Sequence, residues 1–289
     1  MREFRFGVSM RAIGERAEWV AKCRRAEELG YDVITVPDHL GGPAPLPALA
    51  VAAAVTEHVR VGSLVLNVPF YNPALLARDI VSTARLTGDR LDLGLGAGHM
   101  KAEFDEAGLP WLPAAGRVRR LEATLGELRD RIGAETAMPP ILLAGHGDGT
   151  LGLAADHADI AGFSGLRHAP GHSPGTFLLA GAEEMDERVA FFRERAGARA
   201  QHVELNMLVQ HVAVTGDRRE AAARWKALLP QRILDVDELL EAPQLLLGER
   251  ALLAEQLLAR RERYGFSYVT VFEPYLEEFA PVLAELKGR

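Results

Sequence analysis

Eight times along the chain a short apolar run of strand-forming residues gives way to a helical pattern, and this alternation limits the fold more than any single motif. The runs lie at 4–8, 33–37, 59–66, 91–95, 139–143, 159–163, 203–214 and 268–272. The spacing predicts helices over 15–29, 47–56, 74–86, 116–132, 150–155, 182–196 and 250–264, with a helical excursion through 219–240. The final helix is the cleanest, because Phe279, Val282, Leu283 and Leu286 repeat at i, i+3, i+4 and i+7. Right-handed parallel crossovers repeated eight times bring the last strand beside the first, so the expectation is an α/β chain folded as one (β/α)₈ TIM barrel over residues 1–289. An open doubly wound sheet is the structural alternative, and it would need fewer strands.

Composition narrows the partners. Hydrophobic residues at 48% and charged ones at 25% suit a chain that buries a large core. The net charge is −7 and the basic residues are scattered along helical stretches, which argues against nucleic-acid binding. Cys23 stands alone, so no internal disulfide is expected, and its place in a helical pattern suggests a small buried hydrophobe. The start Met1-Arg-Glu-Phe-Arg-Phe6 lacks an apolar signal segment, and the Leu245–Leu247 run is far short of the about 20 residues a membrane span needs. A cytoplasmic setting is therefore expected.

In barrels of this kind chemistry collects where the strands end. The residues there are Ser9, Met10, Asp38, His39, Asn67, Gly96 to His99, Gly145 to Gly149, Ser164, His211 and Glu273. Asp38 and His39 are adjacent, and successive strand residues face opposite ways, so one of the two is expected at the barrel mouth. Gly94, Gly96 and Gly98 alternate at the end of the fourth run, which fits either a tight turn with helix–strand packing or a bed for a planar ligand. A dinucleotide fingerprint fails, because its third glycine would fall at His99. Gly145-His-Gly-Asp-Gly149 precedes a helix and suits an anion, with Asp148 as the alternative helix cap. Pro170 and Gly171 separate His168 from His172 and exclude helical metal-ligand geometry, so no metal is expected. No serine sits in a GxSxG turn, which removes a hydrolase triad. The stretch 164–175, dense in Gly, Pro and His, reads as a loop over the mouth.

Four segments carry a family resemblance: Val36-Pro-Asp-His39, Val61-Gly-Ser-Leu-Val-Leu66 running to Tyr71-Asn-Pro73, Arg90-Leu-Asp-Leu-Gly-Leu-Gly-Ala-Gly98, and Phe279-Ala-Pro-Val-Leu-Ala-Glu-Leu286. Together they resemble the bacterial-luciferase-like flavin and deazaflavin oxidoreductases. The Asp-His pair and the 245–273 section are more similar to the branch that uses coenzyme F420 than to the FMN branch.

The resemblance implies that the coenzyme ring lies against Leu64 and Val65, with a non-proline cis peptide behind it. Asn67 and Asp38 would bond the ring or its side chain. Gly96, Ala97, Gly98 and His99 would run beside that chain, while Ala144, Gly145, His146 and Gly147 would take the phosphate. His39 would handle the proton, and His99 stands where sugar-phosphate dehydrogenases of the F420 branch carry a glutamate proton donor, which points away from that substrate class. The implied function is hydride transfer between F420 and a small organic substrate, by a homodimer. The alternatives are an FMN-dependent monooxygenase fed by a separate flavin reductase, and a flavin-binding barrel without catalysis.

Overall fold

A computed structural model describes residues 2–169, 171, 172, 174–228 and 234–289. Its central sheet is a closed parallel barrel of eight strands: β1 Arg5–Ser9, β2 Val33–Val36, β3 Arg60–Ser63 with its continuation Leu66–Asn67, β4 Leu91–Gly96, β5 Ile141–Gly145, β6 Ile160–Phe163, β7 Glu204–Leu208 and β8 Phe266–Phe272. Closure is direct, since β1 pairs with β2 through Gly7↔Val33 and with β8 through Arg5↔Tyr268. The expected barrel is therefore what the chain forms.

The strands are rich in Val, Ile, Leu and Phe and are buried on both faces, as a parallel barrel sheathed in helices requires. Between sheet and helices lies the main core, in which Phe6, Phe163, Phe192, Phe266 and Phe279 are fully buried. Cys23 is buried there too, and desolvation pushes its thiol up to about 12.

The third strand departs from the continuous run that the sequence suggests. The peptide between Leu64 and Val65 is cis, and it separates the two halves of β3. Both halves still pair with β4, through Gly62↔Asp92 and Leu66↔Leu95, so β3 takes four steps where β4 takes three and the extra residue is a bulge. Gly94 and Gly96 are glycines because of this bulge. A Cβ on Gly94 would stand 1.9 Å from the Ser63 carbonyl oxygen, and one on Gly96 would stand 2.4 Å from Val65 Cγ2. Strand packing thus accounts for both.

The N-terminal mouth of the barrel is plugged by charge. Arg5 lies 3.0 Å from Asp92, 2.7 Å from Glu204 and 4.1 Å above the Tyr268 ring, while Arg60 reaches the other Asp92 oxygen at 2.7 Å. Next to the plug Val33, Leu142, Ile160 and Tyr268 form a small buried apolar cluster, with half-buried Leu64, Val65 and Ala144 packed against it, while the buried Asn206 amide donates to Thr270 Oγ1 at 2.9 Å.

Three further expectations change in detail. The run 203–214 is not one strand: the chain leaves the barrel after Leu208, and His211–Val214 pairs in parallel with Leu245–Gly248. That pair and the helices Arg218–Leu228 and Val236–Glu241 enclose a small second core of Leu179, Ala222, Leu239, Ala242, Leu245 and Leu247. The loop expected over 164–175 contains a strand, since Leu166–His168 pairs antiparallel with Phe177–Leu179; Pro170 and Ser173 lie outside the described residues. Asp148 is the first residue of the helix Asp148–His157 and not its cap, a place that Gly147 holds, and the Asp148 carboxylate pairs with Arg188 at 2.5 Å.

Candidate active site

The structure brings the ends of β2, β3 and β4 together at the open mouth. Asp38 and His39 both follow the end of β2, where the backbone has already left the sheet, so the strict alternation of a strand no longer applies. They look to different neighbours. Asp38 Oδ2 accepts from the Asn67 backbone N–H and from the Tyr71 hydroxyl, each at 2.9 Å. Burial raises its pKa, and these two bonds oppose the rise. Asp38 therefore ties β2 to the far half of β3. His39 turns instead toward β4, with Nδ1 2.7 Å from Glu103 Oε1.

Asn67 is 5% exposed, and its Oδ1 is a buried acceptor with no bond among the described residues. A Cβ on Gly98 would stand 2.6 Å from that oxygen and 2.6 Å from the Phe104 ring, and Gly98 has φ +80°, so this glycine is required by both space and conformation. Arg117 braces the same turn: Nε donates to the Gly98 carbonyl at 3.2 Å, Nη1 donates to the Leu112 carbonyl at 2.5 Å, and the guanidinium lies 3.7 Å from the Trp111 ring centre.

His99 completes the wall. Its ring stands edge-on to His39 at 5.4 Å between centres and to Phe177 at 5.4 Å, and Phe177 in turn meets His168 at 4.8 Å. The His99 side chain is walled in by these neighbours yet still meets solvent at the mouth. Desolvation, then His39, His168 and Arg117, hold its pKa below the usual histidine value. The neutral imidazole is thus the favoured form at neutral pH.

The expected phosphate loop lies at the end of β5. Ala144, Gly145 and His146 are half-buried and Gly147 is exposed, at the head of a helix whose first amides lack intrahelical acceptors. His146 Nε2 lies 2.8 Å from Glu184 Oε1, and Arg167 lies 3.0 Å from the same carboxylate, while His146 Nδ1 is buried without a partner. Desolvation lowers the His146 pKa despite Glu184. Two buried polar atoms, Asn67 Oδ1 and His146 Nδ1, are left for a ligand to satisfy, and the half-exposed Leu64 and Val65 offer an apolar floor nearby. These residues fit a flat, polar-edged coenzyme with an anionic tail.

Other strand-end residues have structural partners. Ser9 and Met10 are buried, Glu273 pairs with Lys22 at 2.6 Å, and His211 Nδ1 meets the Tyr275 hydroxyl at 2.6 Å. Glu103, Arg117 and Glu184 were given no role by sequence, and Tyr71 entered only as part of a family motif. Each stands far along the chain from the group it touches, 64 residues in the case of Glu103 and His39, and only the fold closes that distance. Among the described residues no group of three or more His, Cys, Asp or Glu side chains could hold a metal, and no helix is long and apolar enough to cross a membrane.

A (β/α)₈ barrel whose mouth brings Asp38, His39, Asn67 and His99 together belongs to the α/β barrels that carry polar groups where the strands end. The chain belongs to the family described as Luciferase-like monooxygenase, which it matches over residues 3–262. It is similar to the F420-dependent glucose-6-phosphate dehydrogenase of Kribbella flavida, with 40% identity over 116 residues, 37% of this chain and 34% of that protein. A 4-hydroxyprotoasukamycin monooxygenase of Streptomyces nodosus subsp. asukaensis matches at 31% over 122 residues, 40% of this chain and 31% of that protein. These alignments span about a third of the length of the curated relatives. Among solved structures, an F420-dependent secondary alcohol dehydrogenase in complex with an F420-acetone adduct superimposes with a TM-score of 0.77 at 15% identity, covering 99% of this chain and 100% of that one, a likeness of fold.

Proposed function

We propose that the chain is an F420-dependent oxidoreductase that moves a hydride between the deazaflavin and a small organic substrate. The observation that carries this reading is the buried, unpartnered Oδ1 of Asn67, beside Asp38 and next to the apolar floor of Leu64 and Val65. A buried acceptor left without a bond loses about 1–3 kcal/mol, which a coenzyme N–H or O–H would restore. Asp38 and Asn67 would hold the ring edge, Gly96, Ala97, Gly98 and His99 would flank its side chain, and Ala144 to Gly147 would take the phosphate. The deazaflavin, when bound, supplies or accepts the hydride. His39 holds or releases the proton at the edge of the mouth, with His99 kept neutral beside it. The named F420-dependent relatives support the choice of coenzyme.

The family description and the monooxygenase relative favour a second reading, an FMN-dependent monooxygenase supplied with reduced flavin by a separate reductase. Fluorescence titration with F420 and with FMN separates the two. Micromolar or tighter F420 binding with weak FMN binding is expected, and the reverse would overturn the coenzyme assignment. With a substrate in hand, His39→Ala should lower turnover at least about a hundredfold, the scale of acid–base catalysis, while coenzyme affinity stays within about threefold. Unchanged turnover would remove His39 from the chemistry, and a barrel without catalysis predicts no change in any property. The reading includes a homodimer, which light scattering checks.

A further inference from the structure

Among the described residues Glu103 is the one carboxylate that bonds a histidine on the β2–β4 side of the mouth, and its chemistry limits that histidine more than the contact alone suggests. Glu103 Oε1 lies 2.7 Å from His39 Nδ1, and the two side chains are 16% and 28% exposed. An ionised carboxylate can only accept, so the bond requires the imidazole proton on Nδ1. The uncharged ring is then left with a bare lone pair on Nε2, across the ring from the carboxylate, and no described residue bonds that atom.

The carboxylate is held by a rigid mount. Glu103 sits in the short helix Lys101–Glu106, and its neighbour Phe104, 1% exposed, packs against Phe70 at 5.5 Å and Trp111 at 4.9 Å between ring centres. Glu103 N also donates to the Met100 carbonyl at 3.1 Å. The other groups around His39 do not compete for its Nδ1 proton. Asp38 spends Oδ2 on Asn67 and Tyr71, and His99 meets His39 ring to ring.

We propose that Glu103 is the positioning residue of the mouth: it fixes His39 in the Nδ1–H tautomer and so presents Nε2 as the proton acceptor. This rests on the assignment of His39 to the proton transfer, but its consequence is visible in the protein without coenzyme or substrate. Loss of the carboxylate would free the ring to take the Nε2–H tautomer, which free histidine prefers, and would turn the acceptor face into a donor.

Long-range ¹H–¹⁵N spectra of the histidine-labelled protein, recorded from pH 5 to 9, read the tautomer directly, with His39 assigned by the signals missing from His39→Gln. Neutral wild-type His39 is expected as the Nδ1–H form, with the Nε2–H form in the minority, because the charge-assisted bond to Glu103 outweighs the preference of the free ring. Glu103→Ala should carry the Nε2–H form above half, whereas Glu103→Gln, whose amide oxygen still accepts from Nδ1–H, should keep the wild-type pattern. A wild-type ring in the Nε2–H form would overturn the proposal, as would an Nδ1–H form that persists in Glu103→Ala. The wild-type spectrum decides the matter even where the alanine variant fails to fold. F420 titration of the same samples reports separately on the coenzyme: absence of F420 binding beside an Nδ1–H His39 would overturn the coenzyme reading and leave the role of Glu103 standing.

Discussion

Asn67 and His99 each have surroundings with a measurable consequence. The Asn67 side chain is held in the interior with an acceptor that nothing described satisfies. Asn67→Leu, close in shape and without the amide, is expected to leave unfolding free energy within about 1 kcal/mol of wild type or to raise it, because no bond is lost and an unpaired group is removed. The same change should weaken F420 binding about tenfold, read by fluorescence titration. His99 has a folded-state pKa depressed first by desolvation and then by neighbouring positive groups. The unfolded chain therefore binds the extra proton more readily, so the His99 contribution is fully present above about pH 6.5 and fades as the pH falls toward the lowered value. Because the ring still meets solvent, the effect should not exceed about 1 kcal/mol. Urea unfolding at pH 7 and pH 5 should show a shallower loss for His99→Gln than for wild type, and equal losses would contradict the assigned shift. Asp38, His39 and Asn67 were visible in the sequence as polar residues at strand ends. Glu103 was not, because its meaning lies in a contact with His39 that no local spacing encodes.

At the scale of elements, the glycines of β4 and the bulge of β3 are one device. Ser63 Oγ donates to the Gly94 carbonyl at 2.8 Å and accepts from the Gly94 N–H at 3.0 Å, so the two strands are locked side by side where the bulge begins. Gly94→Ala would drive a methyl group onto the Ser63 carbonyl, and we expect a loss of about 3 kcal/mol or failure to accumulate as soluble protein. Gly41→Ala, where an added Cβ meets nothing, should change stability by less than about 0.5 kcal/mol and serves as the control. Thermal and urea unfolding check both. The sequence marked these glycines as a site for close approach, which is correct, but left open what approaches. For Gly94 and Gly96 it is the neighbouring strand, and for Gly98 it is the amide of Asn67 and the ring of Phe104. The hairpin inside 164–179 and the departure of 211–214 from the barrel were equally hidden, since three- and four-residue strands leave no period to read.

For the whole molecule, the two ends of the barrel have opposite tasks. The C-terminal mouth holds Asn67 and His146, each with a buried atom that no described residue bonds, while the N-terminal mouth is closed by Arg5 and Arg60 around Asp92, which is 4% exposed. Asp92→Asn would leave Arg60 without its carboxylate and Arg5 with Glu204 alone, and a loss of about 2 kcal/mol is expected from urea unfolding, with F420 affinity unchanged because the plug lies at the far end from the mouth. A loss below about 1 kcal/mol would show that the plug is not what closes the barrel. The eight parallel strands and their closure into a barrel were determined by sequence alone, because hydrophobic period and crossover handedness act locally and repeat eight times. The break in β3, the partner of each rim side chain and the pairing of Glu103 with His39 were decided only by tertiary structure, because each depends on which residues, tens of positions apart, closure of the barrel sets within a few ångströms of one another.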